Sequence, residues 1–192
     1  FMKNKAEISK IKASVLYILK SFSEGVDYIK LFKIMYFAQQ DHLVKYGRPI
    51  FSETFYALKH GPVPSFTYKS FQVLEGKQEA FGDLIKSFNK SFKNEVREKA
   101  IFISLVEEPD LEELSKSDIK SLDIAIGKCK DIDSYELSDI SHDKAWQDAY
   151  CRAQDDPEKD RISLIEIAKA GGATSDIVSY IREKERIKKV LL

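Results

Sequence analysis

The sequence predicts a mainly α-helical, compact domain built around a buried central helix at about residues 28–46, with a small antiparallel β element at about 54–58 and 100–106. Three observations carry this reading. Residues 28–46 are apolar on nearly every side at helical spacing, and most of the remaining chain repeats apolar residues every three or four positions. Only two short segments have strand character.

The first helix covers about residues 6–22, where Ile8, Ile11, Val15, Leu16, Ile18, Leu19 and Phe22 keep helical spacing and Gly25 ends the segment. Asp27 then caps the central helix, because its carboxylate can accept from the free N–H groups of the first turn. Leu31, Ile34, Met35, Ala38 and His42 form one stripe, Tyr28, Phe32, Tyr36 and Phe37 cover most of the rest, and Gly47 stops the helix. In Gly61-Pro62-Val63-Pro64 the prolines push their predecessors toward extended conformations, so this loop is rigid, either a docking surface or a stiff corner. Helices follow at Pro64 to about Leu74 and at Gln78–Phe92, the second with Leu84, Ile85 and Phe88 packing inward. The strand at 100–106 alternates Ile101, Ile103 and Leu105 with Phe102 and Ser104. Ser115 with Asp118, and Asp133 with Glu136, have the spacing of helix-capping pairs.

The helix core Lys33-x-x-Tyr36-Phe37-Ala38, the tail His42-Leu43-x-x-Tyr46-Gly47-Arg48-Pro49-Ile50 and the loop Gly61-Pro62-Val63-Pro64-Ser65 together closely resemble the Panacea domain. This is the SocA-like antitoxin family, which includes phage-associated GepA-type proteins. The resemblance continues through Leu114 to Ile119, Leu122-Asp123, Glu136 to His142 and Ala145-Trp146, so it spans about residues 10–150 in the family's order. It implies a non-enzymatic antitoxin whose partner is a cognate toxin, most simply encoded by an adjacent gene. Members of the family are paired with unrelated toxins, and one branch hands its toxin to a protease as a proteolytic adaptor. The positions that match the family pattern supply candidate partner-binding residues: Tyr36, Tyr46, Tyr56, Tyr68 and Trp146 as anchors, with Arg48, His60 and His142 as polar contacts.

The 192 residues carry 43% apolar content, enough for one well-buried domain and a small appendage. A seam is expected at Asp155–Asp160, dividing a helical domain at 1–155 from a C-terminal helical hairpin at 156–192 packed on it. No run approaches the roughly 18 apolar residues that span a bilayer, so no membrane partner and a cytoplasmic location are expected. Cys129 and Cys151 lack metal-type or framework spacing and read as free thiols.

The 31 basic and 31 acidic residues cancel, but unevenly. Residues 1–106 hold 17 Lys/Arg against 10 Asp/Glu, residues 107–160 hold 7 against 17, and residues 161–192 hold 7 against 4. The acidic middle either complements the basic ends within the domain or steers a basic partner.

No phosphate-binding glycine loop, nucleophile elbow, zinc-protease helix or Cys-x-x-Cys pair is present, and the three histidines lack a local second ligand. The reading is therefore no enzyme, no cofactor and no metal. His42 reads as a core histidine closing the central helix, His60 as a loop residue bonded to backbone, and His142 as ordering the turn before Trp146.

One segment suggests another activity. Across 164–189, Ala168, Gly172, Val178 and Ile181 have helix-turn-helix spacing, which makes operator DNA a possible partner through Ser175, Ser179, Arg182, Lys184 and Arg186. Glu183 and Glu185 offset that basic charge.

Overall fold

The structure is a computed structural model that describes residues 3–79, 82–98 and 100–190. In chain order the elements are α1 (Lys5–Leu19), β1 (Val26–Asp27), α2 (Tyr28–Tyr46), β2 (Phe55–Leu58), β3 (Gly61–Pro64), α3 (Ser65–Leu74), α4 (Asp83–Asn89), β4 (Phe92–Arg97), β5 (Ala100–Leu105), α5 (Lys116–Cys129), α6 (Ser134–Ile140), α7 (Lys144–Asp155), β6 (Arg161–Ile162), α8 (Leu164–Ala170) and α9 (Ser175–Val190). The chain is mainly α with small antiparallel β elements.

Helix α2 is the axis of the molecule. Every residue from Leu31 to Gln39 is buried, and the helix touches α1, α5, α6, α8, α9 and the β2–β3 hairpin. Asp27 caps it by accepting from Lys30 N at 3.1 Å, and Gly47 ends it in the left-handed conformation with φ 63°. A helix surrounded on all sides must be apolar on all sides, which is why its sequence carries no amphipathic stripe.

The two expected strands fall in different sheets. One sheet has the order β1-β5-β4, the other β3-β2-β6, and all pairs are antiparallel. The loop expected at Gly61–Pro64 is itself a strand, paired Phe55 to Pro64 through Leu58 to Gly61. Its prolines are tolerated because β3 lies at the sheet edge.

Two further expectations are corrected. The first helix stops at Leu19 rather than Phe22, and Gly25 sits in the following turn with φ 73°, where a Cβ would lie 2.7 Å from Ile103 O. The helix expected over 78–92 is confined to α4. Phe88 and Phe92 keep helical spacing, but Phe92 opens β4 and meets Phe88 at 4.9 Å from the strand side. Leu84, expected inside, is exposed, while Ile85 and Phe88 are buried. Residues 80 and 81 of that expected helix lie outside the described residues.

Capping follows the sequence where short polar residues precede helices. Ser115 and Asp118 form a reciprocal capping box at α5, Asp133 caps α6, and Ser163 with Glu166 caps α8. Glu53 caps α3 from a distance, accepting from Phe66 N, Thr67 N and Thr67 Oγ1. Burial pushes its pKa up and those bonds pull it down.

Helices α8 and α9 form a hairpin whose turn contains Gly172 at φ 87°. Ala168, Val178 and Ile181 are buried, and Gly171 lies so close to α2 that a Cβ would stand 2.6 Å from Gln40. No helix among the described residues is long and apolar enough to cross a membrane.

Candidate functional site: an aromatic ladder beside a hairpin tip

Helix α7 is capped by Asp143, whose Oδ1 accepts from Trp146 N at 3.1 Å. Its Oδ2 accepts from Tyr36 Oη and Gln40 Nε2, each at 2.8 Å, so the cap is fastened to the central helix. Residues 142, 146 and 150 therefore rise on one face at four-residue spacing. Their rings stack continuously: His142 on Trp146 at 3.7 Å and Trp146 on Tyr150 at 4.6 Å, both inclined by 17°.

The indole Nε1 donates to Leu58 O at 2.9 Å, at the tip of the β2–β3 hairpin. Leu58, Lys59 and His60 are exposed there, and the three ladder rings are half-buried. His60 was expected to bond to backbone; instead it is an exposed tip residue close enough to His142 to influence its titration.

Beneath the tip lies a closed polar nook. Lys33 is buried, and its Nζ donates to Pro62 O at 3.1 Å. Burial pulls its pKa down to about 7, against the opposing charge of Asp27. A Cβ on Gly61, at φ 97°, would stand 2.3 Å from Ser141 Oγ and 2.7 Å from Lys33 Nζ, so only glycine lets the hairpin close here. Ser141 Oγ donates to Ser138 O at 2.7 Å. Burial, then the Lys33 charge, lowers the His142 pKa, and its Nε2 has no partner among the described residues.

Gly61, Lys33 and Ser141 are all buried, so these groups face one another inside the fold. What the arrangement offers chemically is a preordered stack of rings, locked by a carbonyl and bordered by charge, that can meet a protein surface with little loss of side-chain freedom. Next to the ladder, α6 exposes Tyr135, Glu136, Asp139 and Ile140. Asp139 lies near enough to raise the His142 pKa.

The expected partner-binding residues do not converge on one surface. His60, His142 and Trp146 meet at the ladder, with half-buried Tyr56 one strand position from Ala57 in β2. Tyr36 is a correction: it has no exposed surface, packs against Phe37 and Phe55, and spends its hydroxyl on Asp143, so it cannot touch a partner. Tyr46 and Arg48 lie at the far end of α2. There His42 bonds Arg48 O at 2.7 Å and approaches Asp118 at 3.2 Å, which bears out a core histidine. Lys10 also reaches Asp118, at 2.9 Å, so that end is an internal charge cluster joining α1, α2 and α5. Tyr68 lies elsewhere again, edge-on to Tyr28 and Phe32.

Lys33, Asp143, Leu58 and Tyr150 were not foreseen. A lysine within the apolar run Leu31–Ala38, and a tyrosine four residues past Trp146, were the signals available. The acidic segment divides its charge: Lys12–Glu107, Lys20–Glu108 and Lys10–Asp118 join it to α1, whereas Asp131, Asp133, Glu136 and Asp139 are exposed. Ser175, Ser179, Arg182, Lys184 and Arg186 are all exposed on α9, with Lys184 lying over the Tyr180 ring at 5.5 Å. Among the described residues no group of three or more His, Cys, Asp or Glu is placed to hold a metal ion.

A mainly helical domain wound round one buried helix, with an aromatic ladder clamped to a proline-rich hairpin, is the class defined here. Residues 31–147, more than half of the chain, match the family described as antitoxin SocA-like, Panacea domain, and the chain belongs to that family. No curated protein and no solved structure matches the chain.

Proposed function

We propose that this protein neutralises a cognate toxin by direct stoichiometric binding, and that the ladder of His142, Trp146 and Tyr150 with the hairpin tip and α6 forms the contact surface. The observation that carries this is the half-exposed Trp146, stacked on both sides and held by Leu58 O. Binding energy concentrates in such anchors, with surrounding contacts excluding water. The exposed acids of α6 favour a partner that is basic around the contact and raise its rate of encounter.

The test is to express the neighbouring reading frame in a host cell with and without this protein. Growth arrest relieved by the wild-type chain, with a co-purifying complex, supports the reading. Trp146→Ala should weaken that complex by about thirtyfold or more, as truncation of an anchor does. Glu136→Lys with Asp139→Lys, which touches no core residue, should slow association. A harmless neighbour and no complex refute it.

A second reading rests on the exposed cations of α9: repression of the protein's own operator. It requires salt-dependent promoter binding that is lost on Arg182→Ala with Arg186→Ala. Delivery of a bound toxin to a protease would appear as toxin turnover that depends on this chain.

A further inference from the structure

Strand β4 is the outer strand of the sheet β1-β5-β4, and its residues are exposed from Lys93 to Val96. Val106 N donates to Ser91 O at 2.9 Å, and the register 92–97 against 105–100 continues from that pair without a bulge. Antiparallel pairing alternates, so Lys93, Glu95 and Arg97 turn their main-chain groups toward β5, while Phe92, Asn94 and Val96 turn theirs away. Asn94 and Val96 have no partner for these groups among the described residues. Among the described residues the edge is uncovered from Lys93 to Val96, which are all exposed, Val96 at 70%, while Phe92 at its start is buried.

Edges of this kind are ordinarily blunted by proline, a bulge, extreme shortness or charged side chains. Over these six residues only charge is present, as Lys93, Glu95 and Arg97 on one face, with Arg97 on Glu95 at 2.7 Å. An apolar side chain stands in water beside unpaired backbone.

We infer that β4 pairs antiparallel with β4 of a second copy of this chain, joining two three-stranded sheets into one across a two-fold axis at Asn94. Charge suits a second copy of the same strand, and strand length fixes the register: an axis at Val96 would also set Glu95 against Arg97 but would pair only residues 95–97, whereas an axis at Asn94 pairs 92–96. With Asn94 opposite its own copy, Lys93 faces Glu95 of the other chain on both sides of the axis, in the pairs where side chains approach most closely. Shifting the axis to Glu95 would set Glu95 against Glu95 and Lys93 against Arg97, which is repulsive. In the favoured register Val96 lies opposite Phe92 of the second copy, and the outward groups of Phe92, Asn94 and Val96 find partners. This surface is separate from the ladder and stands or falls independently of the antitoxin reading.

The test is the mass of the purified full chain by light scattering and sedimentation over a concentration series up to millimolar protein. Wild type should dimerise. Asn94→Pro removes only an outward N–H, so it should leave the hairpin intact and abolish the dimer. Lys93→Glu alone and Glu95→Lys alone should each be monomeric, because like charges then face one another. Mixing those two variants should restore a heterodimer, since every facing pair becomes opposite in charge. That restoration excludes a mere folding defect as the cause of dissociation. A monomeric wild type, a dimer that survives Asn94→Pro, or two charge variants that fail to combine would each overturn the inference.

Discussion

The Tyr36 hydroxyl donates at 2.8 Å to Asp143, the carboxylate that caps the helix bearing Trp146. One side chain therefore fastens a fully buried ring of the central helix to the start of the half-buried ladder. Burial and the Asp143 charge push the Tyr36 pKa well above its ordinary value, so the phenol stays a donor. Tyr36→Phe should cost about 1 kcal/mol in urea unfolding, because Asp143 keeps its other donors. Asp143→Ala should cost more, about 2–4 kcal/mol, since it removes a cap and leaves a buried hydroxyl unpaired. The double variant should cost less than the sum. Strict additivity would show that the two groups do not interact.

Most of the helical frame was legible because caps and apolar spacing act locally: Asp27, Gly47, Ser115 and Asp133 lie at or beside helix ends, as their side chains require. Strand partners were less legible. Phe55 and Ile103 have similar local sequence character, but the pairing that puts them in separate sheets is set by residues far away, Ile162 and Val26. The ladder was half visible. His142 and Trp146 stood out as singular residues, while Tyr150 acquires meaning only once α7 is known to be continuous through it. Tyr36 misled because an aromatic that matches a family pattern reads the same whether it faces solvent or core.

Gly47 bears on Tyr180 in a second link between distant segments. At φ 63° it ends α2, and a Cβ there would stand 2.6 Å from Tyr180 Cδ1. Gly47→Ala should therefore lose roughly 1 kcal/mol for the left-handed backbone, plus the cost of displacing the ring. Tyr180→Ala added to it should recover the second part alone. The expected readouts are unfolding free energies and faster amide exchange in α9 for Gly47→Ala. Equal stabilities for the single and double variants would mean the ring moves aside freely.

The two thiols should separate cleanly by reactivity. Cys151 is exposed, whereas Cys129 is buried and burial pushes its pKa up to about 11. Only a thiolate reacts rapidly. With a disulfide reagent at pH 8, Cys151 should react at once and Cys129 only as fast as the chain opens. Cys151→Ser should abolish the fast phase. Two equally fast thiols would contradict the packing of α5 against α2.

Lys33 makes the strongest prediction about pH. Its ammonium is buried under Gly61 and Pro62, and its folded pKa of about 7 lies below the ordinary 10.5. Below pH 7 both folded and unfolded chains hold the proton, so burying the charge costs its full amount. Between about pH 7 and 10.5 the unfolded chain still holds a proton that the folded chain has released, so this residue's contribution to stability rises with pH, by up to about 1.4 kcal/mol per unit. Lys33→Met keeps most of the buried stem and removes the titration, at the expense of one donor to Pro62 O. The measurement is unfolding free energy for both proteins from pH 6 to pH 10, read as the difference between the two curves so that shared tyrosine and cysteine titrations cancel. Wild type should be the weaker of the two near pH 6 and gain on the variant as pH rises. A difference that stays flat would mean Lys33 holds its proton throughout, and that the hairpin tip opens to let its ammonium reach water.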